Sequence, residues 1–127
     1  MAVLIDTSIW VDYFRSGNNA NTLDFLIDEN LIVTNDLILA ELIPFLKIQN
    51  QKKLISLLRN VKRYDLTVNW SQIIDYQYQC LKNGLNGIGI PDLLIAQNAK
   101  QNNFQIYSLG NHFGLMKDIL DLKIHYQ

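Results

Sequence analysis

Three acidic residues, Asp6, Glu41 and Asp92, are the side chains of this sequence whose positions suggest chemistry. Asp6 ends the short apolar run of residues 2–5, Asp92 follows a proline that suits the first turn of a helix, and Glu41 lies within an apolar helical stretch. In a parallel sheet the loops after the strands meet at one edge, where we expect these acids to converge. Converging carboxylates repel one another unless a divalent cation neutralises them.

Glu41 is the most informative of the three. Its helical neighbours three and four positions away are all apolar, and no lysine or arginine occurs between Arg15 and Lys47. An ionised carboxylate on an apolar surface is costly unless it is paired or coordinates a metal. The alternatives are partial exposure of Glu41 at the edge of the sheet and a salt bridge to a distant residue.

The ligand chemistry predicts which metal such a site would take. Carboxylate oxygens without a grouping of cysteine or histidine favour Mg²⁺ or Mn²⁺ over zinc. This kind of site suits phosphodiester hydrolysis, because the metal activates water and stabilises the charge that builds on the phosphate. Structural alternatives stay open: Asp6 could cap the first helix, as Thr7 and Ser8 could, and Asp92 could favour the dipole of its helix.

Signatures of several other chemistries are missing. The phosphate-binding motif GxxxxGK[ST] does not occur, and the glycines of residues 84–89 do not follow the dinucleotide-binding order. The two histidines have no metal-ligand spacing, and we expect His112 to be a surface or capping residue of a loop. No serine or threonine near the acids has a histidine beside it in sequence, which argues against a serine nucleophile.

Composition predicts one globular domain over residues 1–127. Half of the 127 residues are apolar (49%) and 18% are charged, which is enough for a core without disulfides. Cys80 is the only cysteine, so an internal disulfide is excluded. We expect it to be a small packed residue of a cytoplasmic protein. No apolar segment is long enough to cross a membrane, so we expect no membrane partner.

The net charge of −1 does not indicate a nucleic-acid-binding protein, but the basic residues are unevenly distributed. The stretch from residue 47 to residue 63 contains no acid and holds six of the eleven basic residues: Lys47, Lys52, Lys53, Arg59, Lys62 and Arg63. This basic stretch is a candidate surface for RNA phosphates. A solvated helix face, or an interface with a protein partner, explains it equally well.

Apolar patterns predict an alternation of strands and helices. The predicted strands cover residues 2–5, 31–34, 64–67, 105–109 and 122–125, and a turn is predicted at residues 17–19. A first helix is predicted to begin at residue 7, and further helices are predicted over residues 20–30, 37–48, 50–60, 68–83 and 92–102. In the helix of residues 68–83, we expect the apolar side chains to pack inward: Trp70, Ile73, Ile74, Tyr78 and Leu81. The alternation predicts a three-layer α/β domain with a largely parallel sheet of about four to five strands.

Four segments, in this order along the chain, resemble the PIN-domain ribonucleases and, among them, the VapC-type toxins of toxin–antitoxin pairs. They are DTSIWVDYFRSG at 6–17, NDLILAEL at 35–42, GIPDLLIAQNAK at 89–100 and IYSLGNHF at 106–113. The resemblance implies an α/β/α sandwich in which Asp6, Glu41 and Asp92 bind Mg²⁺ or Mn²⁺ for endonucleolytic cleavage of RNA. It also implies a homodimer and inhibition by a small antitoxin protein.

The last of these segments departs from the pattern of the family. The family commonly has an Asp or Asn two positions after a Thr or Ser, whereas here Ser108 is followed at that spacing by Gly110. Glycine has no side chain with which to coordinate a metal. Three acids therefore favour one tightly held ion over two, with Ser108 shaping the site by hydrogen bonding. Asn111 is a candidate for orienting a metal-bound water.

The leading hypothesis is a metal-dependent endoribonuclease toxin that cleaves tRNA or rRNA. The alternative is a PIN-like module that binds RNA or a protein with little or no cleavage, which the altered last segment favours and the intact acids disfavour. A phosphatase for small molecules is a third interpretation. Metal-dependent cleavage that Asp92→Asn abolishes would separate the first two, and turnover of simple phosphate esters would indicate the third.

Overall fold

The computed structural model describes residues 1–15, 17 and 20–126, so Asn18 and Asn19 of the predicted turn lie outside the described residues. The described residues form five strands: β1 (Val3–Ile5), β2 (Ile32–Thr34), β3 (Lys62–Arg63), β4 (Gln105–Tyr107) and β5 (Lys123–Ile124). The helices are α1 (Thr7–Phe14), α2 (Ala20–Asp28), α3 (Asp36–Ile48), α4 (Lys52–Asn60), α5 (Trp70–Lys82), α6 (Ile90–Asn102) and α7 (His112–Leu120). None of these helices is long and apolar enough to span a bilayer.

The five strands form one sheet in the order β3-β2-β1-β4-β5, and every neighbouring pair is parallel. The central strand β1 pairs with β2 through Val3 and Ile32 and with β4 through Val3 and Gln105. All three residues of β1 are buried, as expected for a strand covered on both faces. The predicted parallel sheet is confirmed.

Helices cover both faces of this sheet. The chain moves from β1 to β2 to β3 in one direction and then returns past β1 to β4 and β5. Because parallel crossovers are right-handed, the two directions place α1–α4 on one face and α5–α7 on the other. Contacts between helices follow this division, since α1 packs on α2 and α3, and α5 packs on α6 and α7. The predicted three-layer architecture is confirmed.

The third strand and the last helix differ from the sequence predictions. The predicted strand at residues 64–67 is wrong, because β3 consists of the exposed edge residues Lys62 and Arg63. An edge strand tolerates charged side chains, so an apolar pattern does not mark it. Helix α7 was not among the predicted helices, although its buried side chains recur at helical spacing: Phe113, Met116 and Leu120.

Helix α5 has two apolar stripes, and the sequence does not indicate which of them is buried. The structure buries Ile73, Tyr76 and Cys80. The expectation that the other stripe packs inward is wrong, since its four residues are exposed: Trp70, Ile74, Tyr78 and Leu81. Only one of the two stripes can face the core. The packing of α5 on α6 and α7 determines which one is buried. Burial of Cys80 confirms it as a packed residue.

A buried amide pair joins helices α3 and α6. Asn35 caps α3 by accepting a hydrogen bond from the Ile38 backbone N–H at 3.0 Å, and its Nδ2 donates to Oδ1 of Asn98 in α6, also at 3.0 Å. The Nδ2 of Asn98 donates in turn to the carbonyl of Asp65 at 3.2 Å. Buried amides are costly when unpaired, so this pair restricts how α3 and α6 can move relative to each other.

The amide pair generates a prediction about stability. Asn98→Ala leaves the buried Nδ2 donor of Asn35 without its partner, so we expect a loss of about 1–3 kcal/mol in the free energy of unfolding. Urea denaturation measures it. Asn102→Ala in the same helix is the matched control, because the one hydrogen bond of its side chain within the described residues is to a carbonyl of its own helix. Equal losses in the two variants would contradict a special role for the amide pair.

Candidate active site

Asp6 lies at the carboxyl end of the central strand and caps helix α1. Its Oδ2 accepts hydrogen bonds from the backbone N–H of Ser8 at 3.4 Å and from the hydroxyl of Ser8 at 2.8 Å. The hydroxyl of Ser108, which follows β4, donates to the same oxygen at 2.9 Å. The expectation that Thr7 or Ser8 caps this helix is therefore wrong, because Asp6 is the cap and Ser8 is its donor.

The two serine hydroxyls tie Asp6 to the loop between β4 and α7. The Ser8 hydroxyl accepts from the backbone N–H of Leu109 at 3.0 Å, and the Ser108 hydroxyl accepts from that of Gly110 at 3.1 Å. Each hydroxyl thus donates to Asp6 and accepts from the loop. Among the described residues no hydrogen bond reaches Oδ1 of Asp6, so one oxygen is held and the other is left for a ligand.

Asp92 lies in the first turn of α6, where the proline at residue 91 suits the start of a helix. Its Oδ2 lies 2.6 Å from Nδ1 of His112, the first residue of α7. An ionised carboxylate only accepts hydrogen bonds, so Nδ1 of His112 carries the proton and donates. The sequence did not predict this contact, because the two residues are twenty positions apart and no local pattern links them.

Glu41 is exposed on α3, and its Oε1 accepts a hydrogen bond from the hydroxyl of Thr7 at 2.9 Å. The burial cost expected for Glu41 from the sequence therefore does not arise, and its role toward a metal stays a prediction. The bond to Thr7 joins Glu41 to the first residue of α1, which follows Asp6 in the chain. Asp6 and Asp92 lie at the carboxyl edge of the sheet, where the loops after the parallel strands begin, and Glu41 lies five residues into α3, which starts at the same edge.

A small pocket of about 130 Å³ opens between Asp6 and Asp92. Its lining comprises Asp6, Asp92, Ser108, Gly110, Asn111, His112 and Phe113, and it includes no lysine or arginine. Glu41 is not part of this lining. In residues 1–15, 17 and 20–126, no three side chains of the types Asp, Glu, His and Cys are already grouped to hold a metal ion.

The donors of this pocket fit a hydrated divalent cation. Mg²⁺ keeps several of its water ligands and is commonly bound through one or two carboxylates. Asp6 and Asp92 each have one oxygen held by the protein and a second that accepts no hydrogen bond from the described residues. The lining contains no lysine or arginine, and His112 engages only one oxygen of Asp92, so a cation between the two carboxylates would relieve their mutual repulsion.

Gly110 and Asn111 line the pocket in different ways. Asn111 precedes α7, and its side chain makes no capping hydrogen bond, so its role toward a metal or water stays a prediction. Gly110 donates its backbone N–H to Ser108. A Cβ at Gly110 would meet the Ser108 hydroxyl at 3.7 Å, an ordinary contact distance, so the backbone does not require glycine there.

The basic stretch does not gather at the pocket. Arg63 ends β3 at the carboxyl edge and forms an exposed ion pair with Asp36 at 3.1 Å. Lys47 lies eleven residues after Asp36 in α3, or roughly 16 Å along the helix axis. All six basic side chains are exposed, including those of Lys52 and Lys53 in α4. Their role toward RNA stays a prediction.

Comparison with known families matches the PIN domain over residues 3–118. The chain therefore belongs to the PIN domain family. A comparison with curated protein sequences gives no match.

Solved structures agree with this assignment. A chain of VapBC2 from Rickettsia felis, bound to a DNA fragment from its promoter, is similar at 27% identity with a TM-score of 0.78 over 98% of both chains. VapBC-1 from nontypeable Haemophilus influenzae matches at 21% identity and a TM-score of 0.72, over 98% of this chain and 97% of that one. VapC20 from Mycobacterium tuberculosis, a sarcin–ricin loop cleaving toxin, matches at 13% identity and a TM-score of 0.62, over 89% and 93%. The resemblance to VapC-type PIN-domain proteins is confirmed.

The hydrogen bonds of Asp6 generate a prediction about its two roles. Asp6→Asn keeps an oxygen that accepts from Ser8 and Ser108, so we expect metal-free stability close to that of the unsubstituted protein. Asp6→Ala removes the cap and should cost about 0.5–2 kcal/mol. Thermal unfolding without and with Mn²⁺ distinguishes the roles, because both variants should lose stabilisation by the metal. A metal-free Asp6→Asn protein as unstable as Asp6→Ala would contradict the expectation.

Proposed function

We propose that this chain is a metal-dependent endoribonuclease, the toxin of a toxin–antitoxin pair, that hydrolyses phosphodiester bonds of tRNA or rRNA. The observation that carries the proposal is the pocket between Asp6 and Asp92, in which each carboxylate keeps one oxygen free of hydrogen bonds from the described residues. Membership of the PIN domain family supports it.

The residues of the site have distinct roles in this proposal. Asp6 and Asp92 hold Mg²⁺ or Mn²⁺, and Glu41, which accepts a hydrogen bond from Thr7 outside the lining of the pocket, supplies a third carboxylate. When bound, the metal supplies an activated water and stabilises charge on the phosphate. Ser8 and Ser108 fix the orientation of Asp6, and the lining of the pocket contains no lysine or arginine that would compete with the metal for the carboxylates.

The substrate and the protein partners also belong to the proposal. A similar structure is that of a toxin that cleaves the sarcin–ricin loop, and two others are of VapBC complexes, which supports an RNA substrate and an antitoxin partner. A homodimer and a cytoplasmic location stay predictions from the sequence. The exposed apolar stripe of α5, formed by Trp70, Ile74, Tyr78 and Leu81, is a surface that such a partner would shield from water.

Cleavage of total cellular RNA tests the proposal. The purified protein, free of antitoxin, should give discrete fragments with Mg²⁺ or Mn²⁺ and none with EDTA. Asp92→Asn should lower the cleavage rate by more than about 100-fold. Loss of a residue that merely hydrogen-bonds to a metal ligand already lowers metal affinity or activity by about 10- to 100-fold, and Asp92 is itself a proposed ligand. Circular dichroism checks that this variant is folded. Absence of cleavage by folded wild-type protein would favour the alternative, a PIN-like module that binds RNA or protein.

The basic stretch generates a separate prediction. In an Asp92→Asn background, replacing Lys52 and Lys53 with alanine should make the salt dependence of single-stranded RNA binding shallower by about 1.4 in slope, since each lost phosphate contact removes about 0.7. Fluorescence anisotropy at several salt concentrations measures the slope. Replacing the exposed Lys82 and Lys123 with alanine is the matched control. Equal slopes for the two double variants would exclude Lys52 and Lys53 as an RNA-binding surface.

A further inference from the structure

We propose that His112 is a positioning residue that holds Asp92 in the orientation needed to bind the metal. The inference rests on the proposed function. His112 Nδ1 lies 2.6 Å from Oδ2 of Asp92, a short charge-assisted contact, and leaves Oδ1 of Asp92 without a hydrogen bond from the described residues. His112 therefore engages one oxygen and leaves the other for the ion.

Asp92 depends on this single contact. Asp6 receives three hydrogen bonds on Oδ2, whereas in the described part of the chain the carboxylate of Asp92 has only His112 as a hydrogen-bonding or ion-pair partner. The Asp92 side chain is 26% exposed. Without His112, this side chain would sample several rotamers, and a metal would have to order it on binding.

His112 is itself held in place by its neighbour in α7. Phe113 is 3% exposed, belongs to the core and lines the same pocket. It anchors the first turn of α7 against the site, so the half-exposed imidazole starts from a fixed backbone position. Partners of metal-binding carboxylates commonly contribute 10- to 100-fold to metal affinity.

A purely structural role for the contact gives a different expectation. The His112 side chain is 50% exposed, and exposed ion pairs add little to stability. His112→Ala should therefore leave metal-free unfolding nearly unchanged while it weakens the metal complex. A structural role would lower the metal-free unfolding temperature and leave metal affinity as it was.

Titration of full-length protein with Mn²⁺, followed by the EPR signal of free Mn²⁺, tests the proposal. We expect His112→Ala to weaken Mn²⁺ binding by about 10- to 100-fold. His112→Asn should restore much of the affinity, because its Nδ2 is bonded to Cγ as Nδ1 is in histidine. His125→Ala is the matched control, since His125 bonds to Gln105 and contacts Tyr107 rather than an acid of the pocket.

A double variant shows whether His112 acts through Asp92. Asp92→Asn weakens Mn²⁺ binding by itself, and adding His112→Ala should then change the affinity by less than about twofold, because the two residues form one unit. Additive losses of Mn²⁺ affinity in the double variant would overturn the proposal. A His112→Asn protein that binds Mn²⁺ no more tightly than His112→Ala would also overturn it.

The outcomes separate this inference from the proposed function. Wild-type protein that neither binds Mn²⁺ nor cleaves RNA would refute the proposed function, and the inference with it. Wild-type protein that does both, together with a His112→Ala protein of unchanged Mn²⁺ affinity, would refute the inference alone.

Discussion

The parallel alignment of all five strands is the constraint on which the site depends. Because every strand runs in the same direction, each loop that follows a strand begins at the same edge of the sheet. Asp6 lies in the first of these loops, and the loop after β4 meets it through Ser108. Helices α3 and α6 bring Glu41 and Asp92 to that edge from opposite faces. A reversal of β1 would move Asp6 to the far edge and separate it from Asp92.

The carboxylates of Asp6 and Asp92 are held in position by different numbers of hydrogen bonds. Asp6 is fixed by a network of hydroxyl and backbone groups that joins the start of α1 to the loop after β4, so its position is part of the fold. Asp92 is fixed by a helix terminus and one half-exposed imidazole. The buried pair of Asn35 and Asn98 sets the position of the helices but not the rotamer of Asp92. Disorder at the site would therefore begin at Asp92.

Local patterns predicted much of this fold, and contacts between distant segments account for what they missed. The apolar run before Asp6 identified β1, because a strand buried on both faces has a simple sequence signature. The exposed edge strand β3 has no such signature. The choice between the two stripes of α5, the exposure of Glu41 and the contact of His112 with Asp92 all depend on tertiary packing. The approach of Asp6 to Asp92 and a hydrogen bond from Ser108 could thus be expected from the sequence, whereas the contact of His112 with Asp92 could not.

The ordinary spacing around Gly110 has an evolutionary consequence. Its backbone is not in a conformation that excludes other residues, and a Cβ would meet only the Ser108 hydroxyl at normal contact distance. A change of one nucleotide turns any glycine codon into a codon for aspartate or glutamate. The fold therefore leaves the number of acids at this pocket open to selection, and lineages could gain or lose an acid there without rebuilding the loop.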